Sequence, residues 1–158
     1  MQTFLPHPGF RDSALALDRR RLGKQRVEAL QVLRGLTVPG HGWRRHPAVR
    51  MWTGYEEALV RYGLEVCRVW RERGHRDGVA ASLVAGLTAD RPGTVPRDQS
   101  ALARAGELPP WLGDEDFHRS HRSALVRKDP AAYAPLFPGT PDDLPYVWPA
   151  SDRERGPA

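Results

Sequence analysis

Residues 46–74, HPAVRMWTGYEEALVRYGLEVCRVWRERG, decide the fold. Apolar and aromatic residues recur there at steps of three and four, which is the spacing of one face of a helix. That face carries Val49, Trp52, Tyr55, Leu59, Tyr62, Val66, Val69 and Trp70. Because Pro47 suits the first turn of a helix and Gly74 suits its end, the stretch predicts one long helix with a buried face.

The residues before this helix predict an extended segment and two more helices. Two prolines keep residues 1–8 extended. A short helix is expected over about residues 12–17. Asp18 is then expected to cap a longer helix that runs to about Leu36.

The residues after it predict two further helices separated by a loop. A helix of small residues is expected over about residues 77–87, and a loop rich in Pro and Gly over 88–110. Asp114 can cap the next helix, which runs to about Leu125, and a turn follows at 129–133. No long stretch alternates with the period of a strand. The sequence therefore predicts an all-α fold of about five helices, with one domain over residues 1–150 and a flexible tail over 151–158.

Composition favours a cytoplasmic protein with an anionic partner. The chain has 158 residues and a net charge of +5, and it shows neither a signal peptide nor a membrane-spanning run. Its single cysteine, Cys67, lies among apolar residues, which indicates a thiol in the core. The large excess of Arg over Lys is typical of GC-rich codon usage. The charge is nevertheless uneven, since residues 11–45 hold nine cations and three carboxylates.

An Arg-rich helix carries the main functional signal. Five cations lie in eight residues without an acid between them, namely Arg19, Arg20, Arg21, Lys24 and Arg26. They form either a phosphate-binding surface or a solvated helix face. Glu28 follows at the border of the apolar face. A carboxylate in this position either pairs with Lys24, four residues earlier, or takes part in chemistry, and the surrounding cations are expected to keep it ionised.

A second dense site is the segment His118-Arg-Ser-His-Arg-Ser123. Its histidines share a helix face and can bind phosphate together with the neighbouring Arg and Ser side chains. Two other interpretations stay open: they are structural histidines in the core, or they bind a metal with a third ligand such as Asp114 or His46. The amino terminus is a further reactive group, because an α-amine is in general less basic than the lysine amine.

Several segments resemble the pyrimidine-dimer DNA glycosylases of the phage endonuclease V type. Leu17-Asp18 followed by Glu28-Ala29-Leu30 resembles the first catalytic segment of that family. The chain is more similar still to small actinobacterial proteins assigned to the family. The shared pieces are residues 1–6, 21–28, 46–52 and 118–130, and this closer resemblance extends over most of residues 1–149. Resemblance to the characterised glycosylases covers the first third, with a fainter likeness from His121 to Tyr133.

The resemblance implies an all-α enzyme that bends duplex DNA and extrudes a base. In that family the free α-amine attacks the sugar C1′ and forms a Schiff base, while one glutamate assists base removal and β-elimination. Glu28 matches that glutamate, and Arg26 lies one position from a family arginine. Because Gln2 is large, we expect the initiator methionine to be retained, so the amine would be that of Met1.

These observations give one leading hypothesis and two alternatives. The leading hypothesis is a cytoplasmic, nucleoid-associated DNA repair glycosylase with AP-lyase activity that acts as a monomer on double-stranded DNA. Its expected substrates are damaged or modified bases, among which the resemblance favours pyrimidine dimers. Met1 and Glu28 are the expected catalytic residues, with no cofactor and no metal. The expected DNA-binding residues are Arg19, Arg20, Arg21, Lys24, Arg26, His46, His118, Arg119, His121, Arg122 and Lys128. The alternatives are a non-catalytic nucleic-acid-binding module and a metal-dependent hydrolase built on His46, His118 and His121.

Overall fold

A computed structural model describes residues 1–154 and contains helices joined by turns and extended segments. In chain order the helices are Phe10–Ala16 (α1), Arg19–Thr37 (α2), Pro47–Arg50 (α3), Glu56–Glu72 (α4), Val79–Asp90 (α5), Gln99–Arg104 (α6), Glu115–Lys128 (α7) and Pro130–Tyr133 (α8). The predicted all-α class is confirmed. Five of these helices have seven residues or more, as expected, and three shorter ones bring the described total to eight.

Aspartates cap the helices as the sequence predicts. Asp18 accepts a hydrogen bond from the Arg21 amide at 3.1 Å, which fixes the start of α2. Asp114 does the same for the Phe117 amide at the start of α7, also at 3.1 Å. Each cap satisfies an amide that the helix itself leaves unpaired, and so each fixes where a functional helix begins.

The long helix predicted over residues 46–74 is wrong in one respect, because it is broken in the middle. The chain turns at residues 51–55 between α3 and α4. Gly54 has a φ of +80°, a left-handed conformation that glycine adopts without steric cost. Its amide donates to Glu56 Oε1 at 3.0 Å. Trp52 still reaches the core from the turn. The apolar spacing therefore continues through the turn, and the sequence pattern gives no sign that the helix is broken there.

The loop predicted over residues 88–110 is also partly wrong. Helix α5 continues to Asp90, and α6 forms inside the predicted loop. Asp98 caps α6 by accepting from the Ala101 amide at 2.8 Å, and Leu102 is fully buried. One buried leucine in a six-residue helix is too short a pattern to show helical spacing. The first helix, α1, begins at Phe10, two residues earlier than expected.

The core lies between α2 and α4, which pack along each other, with α1 and α5 beside them. Its centre is aromatic: the Trp52 ring lies 4.9 Å from the Trp111 ring, and the Phe10 ring lies 5.7 Å from the Tyr62 ring. Cys67 is fully buried, which confirms the predicted core thiol. Burial raises the pKa of that thiol to about 12.

The carboxyl-terminal residues return to the body of the fold. The Ser151 hydroxyl donates to the Thr53 carbonyl at 2.6 Å, and Arg153 pairs with Glu107 at 2.7 Å. Residues 155–158 lie outside the described part of the chain, so the predicted flexible tail stays a prediction there. Within residues 1–154, no helix has the length and apolar character needed to cross a membrane.

Candidate active site

The first six residues form an extended segment that is largely buried and held in a fixed position. Gln2, Thr3, Phe4 and Leu5 are each less than one-tenth exposed. Chain termini are usually poorly ordered unless something fixes them. An extended segment has no helical hydrogen bonds, so its backbone groups need partners from elsewhere.

Side chains from α2, α4 and the turn before α4 supply the first of these partners. Gln25 Nε2 donates to the Gln2 carbonyl at 2.6 Å, and Gln25 Oε1 accepts from the Phe4 amide at 3.0 Å. The Tyr62 hydroxyl donates to the Phe4 carbonyl at 2.8 Å. The Trp52 indole donates to the Thr3 hydroxyl at 3.0 Å. Residues 2–4 are therefore held in one position.

Helix α7 holds the next two residues through the histidines that the sequence singled out. The Leu5 amide donates to His121 Nδ1 at 2.9 Å, and His118 Nδ1 lies 2.8 Å from the Leu5 carbonyl. Arg122 donates to the Pro6 carbonyl at 2.9 Å. Together with Gln25, these side chains bind the N-terminal segment through its backbone.

These contacts identify the charge state of both histidines. His118 Nε2 accepts from the Gly113 amide at 2.9 Å, so its proton is on Nδ1, which donates to Leu5. His121 accepts at Nδ1, so its proton is on Nε2. Burial lowers the pKa of His118, and it lowers the pKa of His121 to about 3. Both rings are neutral at pH 7 and fully buried, so the structure turns neither of them toward a solvent-exposed phosphate.

The N-terminal segment ends at a cavity of about 320 Å³ that contains the main predicted site residues. Met1 and Glu28 both line it. The cations around it are Arg20, Arg21, Lys24 and Lys128, and Gln2, Phe4 and Tyr146 complete the wall. Its size lies at the low end of small-molecule sites, which span about 300–1,000 Å³. The structure thus brings a chain-terminal amine, a carboxylate and four cations together.

Glu28 is the acidic residue of this cavity and is only 8% exposed. Burial raises its pKa, while the charges of Lys24, the Met1 amine and Lys128 oppose that rise. The sequence predicted that the surrounding cations keep Glu28 ionised; in the folded protein burial outweighs their lowering effect on its pKa. Lys24 Nζ lies 3.7 Å from Glu28 Oε1, so the predicted i,i+4 pair forms. Met1 and Glu28 line the same cavity, and the charge of the Met1 amine acts to lower the pKa of Glu28.

The segment His118–Ser123 binds both the N-terminal segment and a segment that lies shortly before the end of the described residues. While its histidines bind the N-terminal segment, its serines bind an extended strap, residues 144–151. Ser123 Oγ accepts from the Leu144 amide at 3.0 Å, and Ser120 Oγ accepts from the Val147 amide at 3.1 Å. This places Tyr146 in the wall of the cavity. Neither Tyr146 nor Gln25 was expected in the site, since a lone aromatic residue and a helical glutamine carry no sequence signal.

The remaining predicted DNA-binding residues lie in different places. Arg19 is exposed on α2 beside the cavity, and Arg119 is exposed on α7. Arg26 pairs with Asp77 at 2.5 Å and lies along a shallow depression shared with Arg19, Arg20 and Lys24. Arg122 pairs with Glu115 as well as Pro6. Arg26 and Arg122 therefore each have protein partners, and their contacts with phosphate stay a prediction.

His46 lies near the amino terminus and not with the other histidines. Its Nδ1 accepts from the Ala48 amide at 3.1 Å, capping α3. Burial lowers its pKa, and the charge of the Met1 amine lowers it further. In the described residues no group of three or more His, Cys, Asp or Glu side chains is arranged to hold a metal ion. His118 in addition uses both ring nitrogens in hydrogen bonds to the backbone.

Comparison with known proteins agrees with the family to which these residues point. The family model described as pyrimidine dimer DNA glycosylase matches residues 1–82, just over half of the chain. The match covers the N-terminal segment, α2 with Glu28, and α4. No match was found among curated proteins or among solved structures. The chain therefore belongs to the pyrimidine dimer DNA glycosylase family, whose substrate is DNA.

Proposed function

We propose that the chain is a DNA glycosylase with AP-lyase activity, in which the Met1 amine is the nucleophile and Glu28 is the proton-transferring residue. One observation carries the proposal: the N-terminal segment is buried and bound through its backbone, and it ends at a cation-lined cavity that contains Glu28. Seven hydrogen bonds from side chains elsewhere in the fold hold these six residues, which supports a use for the end of the segment. With Met1 as the mature terminus, its amine is held where a nucleophile is needed.

The chemistry begins with attack of the amine nitrogen on C1′ of the damaged nucleotide. The N–C1′ bond forms as the bond from C1′ to the base breaks, and the base leaves with that electron pair and takes a proton from solvent. Glu28 accepts a proton from the attacking amine and returns it to O4′ as the sugar ring opens to the imine. It then removes a C2′ proton, and the 3′ phosphate leaves. A carboxyl group whose pKa is raised by burial suits such proton exchange.

The cations of the cavity provide the electrostatic part of the proposal. Arg20, Lys24 and Lys128 are exposed at its rim, so phosphates on both sides of an extruded nucleotide can reach them. Arg21 is held by Asp18 at 2.7 Å and is a more fixed part of the wall. His118 and His121 become positioning residues in this proposal, because they act on DNA only through the N-terminal segment. We take double-stranded DNA as the substrate and a monomer as the active form.

Borohydride trapping tests the proposal. The intact mass first establishes that Met1 is the mature terminus and unmodified. The protein is then reduced in the presence of duplexes that carry a cyclobutane dimer or an abasic site, and the covalent peptide is mapped. An adduct on Met1 with both duplexes is expected. Binding without any adduct would favour the non-catalytic module instead.

Matched variants separate the role of Glu28 from general charge effects. Glu28→Gln is expected to lower base removal at least about 100-fold, the order of magnitude for a proton-transfer residue, while DNA binding is kept. Glu154→Gln, at an exposed position outside the cavity, is the control and is expected to match the wild type. Full activity of Glu28→Gln would exclude the proposed role.

A further inference from the structure

The arginines of this chain differ in whether a carboxylate neutralises them. Ten of them form ion pairs within the described residues: Arg11, Arg21, Arg26, Arg61, Arg68, Arg71, Arg91, Arg97, Arg122 and Arg153. Among those for which the described residues supply no ion pair, Arg44, Arg45 and Arg50 lie together. All three are exposed. Their charge therefore stays available to a ligand.

These three arginines line an open groove of about 780 Å³. One wall is formed by α3 and the residues on either side of it, and the other by residues 148–151 and Arg153. Among the described residues no carboxylate lines the groove, and Arg153 is already paired with Glu107. Three like charges at one groove repel each other, and an anion bound between them removes that repulsion. Guanidinium groups bind phosphate oxygens in pairs of hydrogen bonds.

An aromatic ridge joins this groove to the catalytic cavity. We define the ridge as Tyr146, Trp148, His46 and Trp43. Tyr146 lines the cavity, Trp148 lines the groove, and their ring centroids are 5.3 Å apart. His46 lies 6.0 Å from Trp148 and 5.6 Å from Trp43. A ligand that fills the cavity and extends past Tyr146 toward Trp148 therefore reaches the groove.

The two tryptophans of the ridge are exposed to solvent. Trp43 is 47% exposed and Trp148 is 39% exposed, whereas Trp52 and Trp111 are buried in the core. Exposed aromatic rings beside cations are typical of surfaces on which nucleic-acid bases stack. Apolar side chains can also enter a base step that has been opened by bending.

We propose that this groove is a second DNA-binding site, in which Arg44, Arg45 and Arg50 bind backbone phosphates beyond the cavity and Trp148 contacts an unstacked base. The inference rests on the proposed function, since it extends the same DNA surface away from Glu28. The groove adds binding energy where DNA must bend to deliver a nucleotide to the cavity. None of these residues falls in the Arg-rich helix that dominates the sequence.

Equilibrium binding to a dimer-free duplex at several salt concentrations tests the phosphate contacts. Each phosphate contact contributes about 0.9 to the slope of log K against log salt. The double variant Arg44→Gln/Arg45→Gln is expected to reduce the slope by about 2 and to weaken binding at least tenfold at physiological salt. The control Arg34→Gln/Arg76→Gln removes the same charge at exposed positions outside the groove and the cavity, and it is expected to change the slope much less. Equal slopes for the two double variants would overturn the proposal.

Trp148→Leu tests the base contact. It is expected to weaken binding to a duplex with an extrahelical base several-fold more than binding to a matched duplex, since stacking on an aromatic residue contributes to affinity for each base. Equal weakening on both duplexes would contradict the base contact. Circular dichroism of each variant confirms that the helical fold is kept. These experiments can be distinguished from the test of the proposed function. If the variants change DNA binding as expected but the wild-type protein gives no borohydride adduct, the proposed chemistry is refuted and the second DNA-binding site stays supported.

Discussion

The backbone amide of Leu5 donates to Nδ1 of His121 at 2.9 Å, across a sequence distance of 116 residues. This bond ties the N-terminal segment to α7, which lies outside the part of the chain that matches the family model. It requires a neutral imidazole, because a protonated ring has no lone pair to accept with. The placement of Met1 therefore depends on the charge state of a buried histidine.

Acid is expected to destabilise the protein through His121. Burial lowers the pKa of its ring from 6.5 to about 3 in the folded state. The unfolded chain thus binds this proton more tightly, so the free energy of unfolding falls as the pH drops from about 6.5 toward 3. His118, whose pKa is lowered in the same direction, adds to the slope. Chemical denaturation at a series of pH values measures this loss.

His121→Asn isolates that contribution. The Asn side-chain oxygen can accept from the Leu5 amide but cannot be protonated in this range. Between about pH 6.5 and pH 3, the free energy of unfolding of His121→Asn is expected to change less steeply with pH than that of the wild type. The difference in slope is at most that of one bound proton, about 1.4 kcal/mol per pH unit. His121→Leu removes the acceptor and is expected to be less stable even at pH 7. An unchanged acid slope in His121→Asn would show that other groups dominate.

Gln25→Met is expected to disorganise the N-terminal segment. The substitution keeps the volume but leaves the Phe4 amide and the Gln2 carbonyl without their partners. Each unpaired buried group costs about 1–3 kcal/mol, so for the two groups we expect a loss of about 2–6 kcal/mol in the free energy of unfolding. Gln31→Met, on the same helix and without a side-chain hydrogen bond in the described part of the chain, is the control. Denaturation curves and the yield of Met1 adduct should fall together for Gln25→Met alone.

The activity that depends on Glu28 is expected to fall at low pH, where Glu28 becomes protonated, and Lys24 is expected to influence the pH at which this happens. Burial raises the pKa of Glu28, and Lys24 is the largest influence that opposes the rise. Lys24→Met should therefore raise the pKa of Glu28 further and move the acid limb of kcat to higher pH. Measuring kcat with saturating DNA separates this shift from weaker binding. An acid limb that stays in place, while only KM rises, would assign Lys24 to phosphate binding alone.

The sequence predicted the parts of the fold that depend on local pattern. Asp18 and Asp114 are detectable because a capping carboxylate precedes an apolar helix, and the burial of Cys67 follows from its neighbours. The turn at Gly54 was missed because its left-handed backbone leaves the apolar spacing intact. Short α6 was missed because Leu102 is its one fully buried residue.

From spacing alone, site residues could be grouped only where they are close in sequence, whereas Met1 entered the prediction through the family resemblance. Glu28 and the cations of α2 were found together because they occupy neighbouring helical turns. His118 and His121 were noticed, yet their partner Leu5 lies more than a hundred residues away. Gln25 was missed for the same reason, since its role depends on an extended segment packing beside α2. Contacts between distant segments set these roles, and spacing along one helix does not encode them.

Cys67 is expected to be unreactive until the protein unfolds. Only the thiolate reacts with disulfide reagents, and burial raises the thiol pKa to about 12 while also blocking access. The labelling rate in the native state should therefore match the rate of global unfolding and increase sharply in denaturant. A Ser100→Cys variant in a Cys67→Ala background carries one exposed thiol and should be labelled rapidly. Equally fast labelling of Cys67 would contradict its place in the core.

Gly54→Ala is expected to disturb the wall of the groove that Arg44, Arg45 and Arg50 line. The left-handed conformation of Gly54 costs about 1–2 kcal/mol for a residue with a side chain. An added Cβ would also lie 2.5 Å from Cβ of Arg153, which packs over the Tyr55 ring at 4.1 Å and pairs with Glu107. We expect a loss of more than about 2 kcal/mol in the free energy of unfolding, since backbone strain and the steric contact act together.

A double-mutant cycle with Arg153→Gly separates the two causes. This second substitution removes the Cβ of Arg153, so only the backbone strain of Gly54→Ala should remain in the double variant. Gly42→Ala, where an added Cβ meets nothing within 4 Å, is the control and should leave stability nearly unchanged. Because Arg153 forms part of the groove wall, Gly54→Ala should also weaken the salt-dependent binding of dimer-free DNA. Normal DNA binding in a destabilised Gly54→Ala protein would show that the groove does not depend on the position of Arg153.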